Sequence, residues 1–153
     1  MEMETGMDGL KRKGFEYFDH GADIGIRAFG PTIEEAYASA AIGMFSLMFD
    51  IEAVEPKRTI ELSCNADDLD LLLVEWLNKL LRVSAIENMV FCRFLVGRIA
   101  ETGTGRSLDA QLAGEQLDVS KHNPKTEVKA ATYAELNVKV RPDYTLVQTV
   151  VDV

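Results

Sequence analysis

The sequence predicts a single α+β domain, a mostly antiparallel sheet with two main helices packed on one face. Three observations carry this expectation. Two long stretches repeat apolar residues at i, i+3 and i+4. The segments around them alternate apolar and polar residues with period two. The order runs strands, helix, strand, helix, strands, without the regular strand–helix alternation of a parallel crossover fold.

From Phe15 to Phe29 the chain reads as extended, with Gly21-Ala22 as a bend and Ile24, Ile26 and Ala28 alternating with Gly25, Arg27 and Phe29. Gly30-Pro31 punctuates it. Thr32-Ile33-Glu34-Glu35 is a capping box, a hydroxyl for orphan amides with a Glu three residues later. The helix it opens sets Ile33, Ala36, Tyr37, Ala40, Ala41, Met44, Leu47 and Met48 on one stripe and is expected to stop near Asp50. Thr59 to Ser63 reads as a short strand. Asn65-Ala66-Asp67-Asp68 offers caps for a second helix, whose Leu69, Leu72, Leu73, Trp76, Leu77, Leu80 and Leu81 form a stripe. Leu71 and Val74 widen that stripe, so this helix should pack on a sheet and be covered from another side. Asp70, Glu75, Lys79 and Arg82 rule it out as a membrane span. Val90 to Ile99, Leu108 to Ala113, Glu127 to Tyr133, Leu136 to Val140 and Tyr144 to Val153 read as further strands, with turns at Thr102-Gly103-Thr104-Gly105 and Pro142-Asp143.

A chain of 153 residues with 47% hydrophobic and 27% charged residues suits one well-buried domain. Met1 to Lys13 reads as a flexible leader with an uncertain start, and residues 14–153 as the domain. A net charge of −9 argues against direct nucleic-acid binding, which needs clustered Lys and Arg. RNA, if involved, should enter through a partner. Cys64 and Cys92 have neither metal nor redox spacing and read as reduced structural thiols of a cytoplasmic protein. No apolar run reaches membrane-span length and no signal-peptide core follows the N-terminus.

Chemistry-bearing motifs are sparse. Gly103-Thr104-Gly105 lacks the Lys-Ser/Thr of a phosphate loop, no Gly-x-Ser-x-Gly elbow occurs, and two histidines, His20 and His122, exclude a three-His zinc site. Carboxylates remain. Asp50, Asp67, Asp68 and Asp70 sit at helix ends and are assigned to capping. Asp19, His20 and Asp23 lie within five residues beside a bend, where ligands can converge. Asp152 is an acid among β-branched residues, one residue before the end of this sequence. Adjacent acids repel unless a cation sits between them, and hard divalent cations take such oxygen sets. The plainer alternative is a frayed terminal acid and an Asp-His pair bonded to turn amides. Lys129, sharing a face with Glu127, Ala131 and Tyr133, is either an edge lysine that deters aggregation or a cation for the carboxylates or a phosphate.

Three stretches together resemble the archease family. The segment from Phe15 through Asp19-His20-Gly21-Ala22-Asp23 to Gly30 is similar to its N-terminal signature. Lys121-His122-Asn123-Pro124-Lys125-Thr126-Glu127-Val128-Lys129-Ala130-Ala131-Thr132-Tyr133 is similar to its second, and Val150-Val151-Asp152-Val153 to its ending. Leu72-Leu73-Val74-Glu75-Trp76-Leu77-Asn78 also fits. Gly21 departs from the family's usual Thr, which removes a hydroxyl and loosens the turn, and Ala131 is smaller than usual. The resemblance implies a metal site carried by Asp23, Asp152 and Val153, with Ca²⁺ the ion usually associated and Mg²⁺ or Mn²⁺ as alternatives. His20, Lys129 and Thr132 would lie near it. It further implies a non-enzymatic accessory of the RtcB-type RNA ligase of tRNA splicing, promoting the ligase's guanylylation and multiple turnover. RNA and GTP would be met only through the ligase. Two other classes stay open: a stand-alone metal-dependent phosphoester hydrolase and a chaperone-like interaction module.

Overall fold

The computed structural model describes residues 14–153; the expected leader, residues 1–13, lies outside them. Nine strands and three α-helices follow in the order β1 (Gly14–His20), β2 (Asp23–Gly30), α1 (Ile33–Met48), β3 (Arg58–Ala66), α2 (Leu69–Glu87), β4 (Met89–Val96), β5 (Ala100–Thr102), β6 (Gly105–Gln116), α3 (Val119–His122), β7 (Ala130–Ala131), β8 (Asn137–Val140) and β9 (Thr145–Asp152), with a 3-10 turn at Ile51–Ala53.

The α+β class, the antiparallel pairing and the two main helices are as the sequence predicts. The strands form two sheets rather than one. The first runs β1-β2-β9-β7, with β8 also on β9; the second runs β3-β6-β4, with β5 also on β6. Both long helices touch both sheets: α1 packs on β1, β2 and β9 and on β4, while α2 packs on β3, β4 and β6 and on β7 and β8. That double contact explains why burial on α1 spreads beyond a stripe to Ser39, Gly43 and Phe45. It also explains the apolar excess of α2 at Val74, which is as buried as Leu72 and Trp76, while Leu71 is only half-buried.

Helix starts follow local chemistry. Thr32 Oγ1 accepts from Glu35 N at 3.1 Å, and Asp68 Oδ1 accepts from Leu71 N at 2.9 Å. Asp50, by contrast, makes no side-chain cap at the 3-10 turn. The two helices are pinned through buried polar groups: Trp76 Nε1 donates to Tyr37 O at 2.9 Å, and the Tyr37 hydroxyl donates to Leu69 O. Phe45, Phe91, Phe94 and Trp76 meet in tilted and edge-to-face contacts that join α1, β4 and α2.

The expected strand Glu127–Tyr133 shrinks to the two residues of β7, because the chain before it is held elsewhere. Lys125 N and Thr126 N donate to Met48 O and Leu47 O, using carbonyls that the end of α1 leaves without partners. Helix α3 was not anticipated, although its signals are present. Asp118 caps it through Ser120 N and Lys121 N, and Asn123 ends it with φ of 48° just before Pro124.

Strand β4 bulges between Phe91 and Arg93 where it passes Gly114, and a Cβ on Gly114 would stand 1.9 Å from Val90 O. Gly114→Ala is therefore expected to destabilise the domain by about 1–3 kcal/mol. Gly103→Ala, which meets nothing within 4 Å, should stay within about 0.5 kcal/mol. Denaturant titration of the two variants checks the pair.

Candidate functional site

Strand β2 pairs with β9 so that Ile24 stands opposite Val151. One step outward, Asp23 and Asp152 are neighbours at the open end of the sheet, although they come from opposite ends of the chain. The alternation of strands puts both on one face, away from the helices, since Ile26 and Val147, three and five residues further in and so on the other parity, are buried in the core. Val153 N donates to Asp23 Oδ1 at 3.4 Å, which ties the end of β9 to the start of β2. Both acids are half-buried, and among the described residues neither has an ion-pair partner.

The β1–β2 turn explains which of its residues can join them. His20 pairs with Asp23, leaving Gly21-Ala22 as a two-residue turn. Gly21 alone has positive φ, 62°, the arrangement that wants glycine at the first central position. His20 thus shares the face of Asp23, while Asp19, paired with Ile24, lies on the opposite one beside Tyr17 and Leu47. Three-ligand convergence at the bend does not occur, because period two separates Asp19 from the other two.

The second edge of β9 carries the rest. Ala130 pairs with Asp152 and Ala131 with Val151. Lys129 N donates to Asp152 O at 2.8 Å, and Thr132 N and Oγ1 both donate to Val150 O, at 2.9 and 2.8 Å. Lys129 therefore meets Asp152 through its backbone, while Thr132 holds Val150, two residues before it. The Lys129 side chain is exposed, lines a groove of about 720 Å³ with Asn78, Arg82 and Glu127, and makes no ion pair among the described residues. No three His, Cys, Asp or Glu side chains converge among the described residues. Asp23 and Asp152 are thus two carboxylates at one sheet end, oxygen donors of the hard kind that Ca²⁺ and Mg²⁺ accept.

Sequence reasoning missed a buried polar cluster that anchors this edge. His122 is fully buried and its ring sits between two partners: Nδ1 accepts from Asp118 N at 3.0 Å, and Nε2 donates to Glu115 Oε2 at 2.9 Å. The Asp118 amide can only donate, so the ring proton is on Nε2. Glu115 Oε2 also accepts from Glu55 N at 2.9 Å and meets Lys121 Nζ at 2.9 Å, and Lys57 Nζ lies 3.4 Å from Oε1. The Glu55 amide, Lys121 and His122 together hold the Glu115 carboxyl far below the usual range. One signal was visible: Glu115 follows an alternating strand and lies seven residues before the histidine of the second signature, His122. The cysteines behave as structural thiols. Burial pushes Cys64 up to about 11 and raises Cys92, so neither is an activated nucleophile.

Because Glu115 ionises more readily folded than unfolded, its charge stabilises the fold above the ordinary Glu value of 4.5 and that contribution is lost as pH falls through and below it. Glu115→Gln is expected to lower stability at neutral pH and to flatten the acid limb. Denaturation midpoints from about pH 7 to about pH 3 check both effects.

The chain matches the Archease protein family over residues 15–153. The "Protein archease" of Thermococcus gammatolerans is 42% identical over 129 residues, spanning 84% of this chain and 90% of the relative. That of Sulfurisphaera tokodaii is 39% identical over 139 residues, spanning 91% and 98%. The solution structure of Methanobacterium thermoautotrophicum protein 1598 superposes with a TM-score of 0.80 at 31% identity, covering 92% of this chain and 99% of that one. A crystal structure of an archease from Thermotoga maritima, described as a possible chaperone, gives a TM-score of 0.50 at 18% identity over 90% and 96% of the two chains, a likeness of fold alone.

Proposed function

Since this chain belongs to the archease family, we propose that it is an accessory protein that activates an RtcB-type tRNA-splicing RNA ligase through a metal-binding carboxylate site. In this reading it promotes the ligase's guanylylation and multiple turnover and catalyses no reaction alone. The observation that carries the reading is the juxtaposition of Asp23 and Asp152 on one sheet face, with no cationic side chain paired to either among the described residues. Two half-buried acids held side by side repel each other, and a divalent cation relieves that cost.

Asp23, Asp152 and Val153 are the residues assigned to the ion, with Ca²⁺ first and Mg²⁺ or Mn²⁺ as alternatives. A bound divalent cation would supply positive charge to the phosphates of the nucleotide that guanylylates the ligase. The chain's own part is to present the acids rigidly. Asp23 is held by Val153 N, and Asp152 by Lys129 N from the other edge. His20 stands on the same face as Asp23, and the exposed Lys129 ammonium is available to a phosphate or to an acid of the partner. The protein side chains leave most of a six-to-eight-oxygen shell to be filled, which fits a half-site completed by the ligase. The net charge of −9 suits encounter with a basic RNA-binding partner, at a rate that should fall as salt rises.

A chaperone-like interaction module is the second reading, favoured by the description of the Thermotoga maritima protein. It predicts that partner binding survives loss of both acids.

Asp23→Ala and Asp152→Ala are each expected to reduce stimulation of ligase guanylylation by about tenfold or more, with the fold retained. A guanylylation assay with limiting ligase, beside circular dichroism of each variant, checks this. Undiminished stimulation by either variant sinks the proposal. Phosphoester turnover by the purified protein without ligase would favour a hydrolase instead.

A further inference from the structure

Strand β7 is two residues long, and among the described residues one of its edges has no strand beside it. On the β9 side Ala130 pairs with Asp152, and the flanking Lys129 N and Thr132 N donate to Asp152 O and Val150 O. The backbone groups of Ala131 therefore point the other way, towards α2. There Asn78 meets both. Its Oδ1 accepts from Ala131 N at 2.8 Å, and its Nδ2 donates to Ala131 O at 3.1 Å. A carboxamide offers one acceptor and one donor at the spacing of a peptide, so it replaces the neighbouring strand that β7 lacks.

Asn78 is well placed to transmit rigidity. Its neighbours Trp76, Leu77 and Leu80 are fully buried, which fixes α2 in the core. A two-residue strand held only by β9 would have little to stop it peeling away. The residue that would peel with it is Lys129, whose amide holds Asp152.

We propose that Asn78 is a positioning residue for the Asp23–Asp152 site: it clamps β7 against β9 and thereby fixes the backbone of Asp152. Asn78 itself touches neither carboxylate. The inference rests on the metal-site reading for its functional consequence, while the clamp is a property of the fold and is tested separately.

The test compares wild type, Asn78→Ala, Asn78→Asp and Ser84→Ala. The last removes a different hydrogen bond of α2, from Ser84 Oγ to Met89 O. Two readouts are taken on each: amide hydrogen exchange at Lys129 and Thr132 by NMR, and binding of Ca²⁺ by titration calorimetry. Asn78→Ala is expected to speed exchange at both amides by about tenfold or more and to weaken Ca²⁺ binding by about tenfold. Ser84→Ala should change neither, at a comparable loss of Tm. Asn78→Asp keeps the acceptor for Ala131 N and loses the donor, so it should fall between; it carries the comparison if the Ala variant does not fold. Unchanged exchange in Asn78→Ala, or equal effects from Ser84→Ala, would overturn the clamp. If wild type takes up no Ca²⁺ while exchange still responds to Asn78→Ala, the clamp stands and the metal reading falls.

Discussion

The pairing of β2 with β9 is the constraint on which the rest of this molecule depends. It joins the first hairpin to the last strand over seven register positions, from Ile24–Val151 to Gly30–Thr145. It also links β7 and β8, which pair with β9, to the first hairpin, and it completes the surface of β1, β2 and β9 on which α1 packs. The pairing is costly in chain entropy, since nearly the whole chain must be threaded before its ends meet. Burial offsets that cost: Ile26 and Ala28 on one strand and Val147, Thr149 and Val151 on the other are almost wholly removed from water.

The same pairing creates the candidate site. Acids are disfavoured in the middle of a sheet and tolerated at its end, where solvent reaches them. Asp23 begins β2 and Asp152 ends β9, so an antiparallel register brings two strand-end acids together as a geometrical necessity. The Gly21-Ala22 turn is tight enough to lift His20 alongside, and strand alternation sends Asp19 to the other face. The site owes its composition to register as much as to residue type.

A strap from Glu115 to Thr132 then closes the open edge. Its first anchor is the buried Glu115–His122 pair, with Lys121 and the Glu55 amide completing the carboxylate's partners. Its second is the end of α1, through Lys125 and Thr126. Its third is β9 itself. Each anchor satisfies backbone or charged groups that burial would otherwise penalise by roughly 1–3 kcal/mol apiece. A strap held at three points delivers Lys129 to Asp152 and Thr132 to Val150 without a long strand, which is why the alternation of Glu127–Tyr133 misled as to its extent. Among the described residues the segment has no second strand partner, and Asn78 from α2 fills that place.

What the sequence determined by itself was local. Thr32 and Asp68 announced helix starts, the stripes from Ile33 and Leu69 announced amphipathic helices, and alternation with Gly21-Ala22 announced an extended segment with a bend. These patterns depend on residues within one or two turns of each other. The unusual acid at Asp152 was visible because it broke the propensity of its own strand. Tertiary structure decided the rest. It split the strands into two sheets with the helices between them, set Asp23 beside Asp152, separated Asp19 from both, joined Glu115 to His122 and Asn78 to Ala131. Each of these is a contact between groups whose partner lies on another element, and pairing, register and facing are properties of a packed chain that no local pattern encodes.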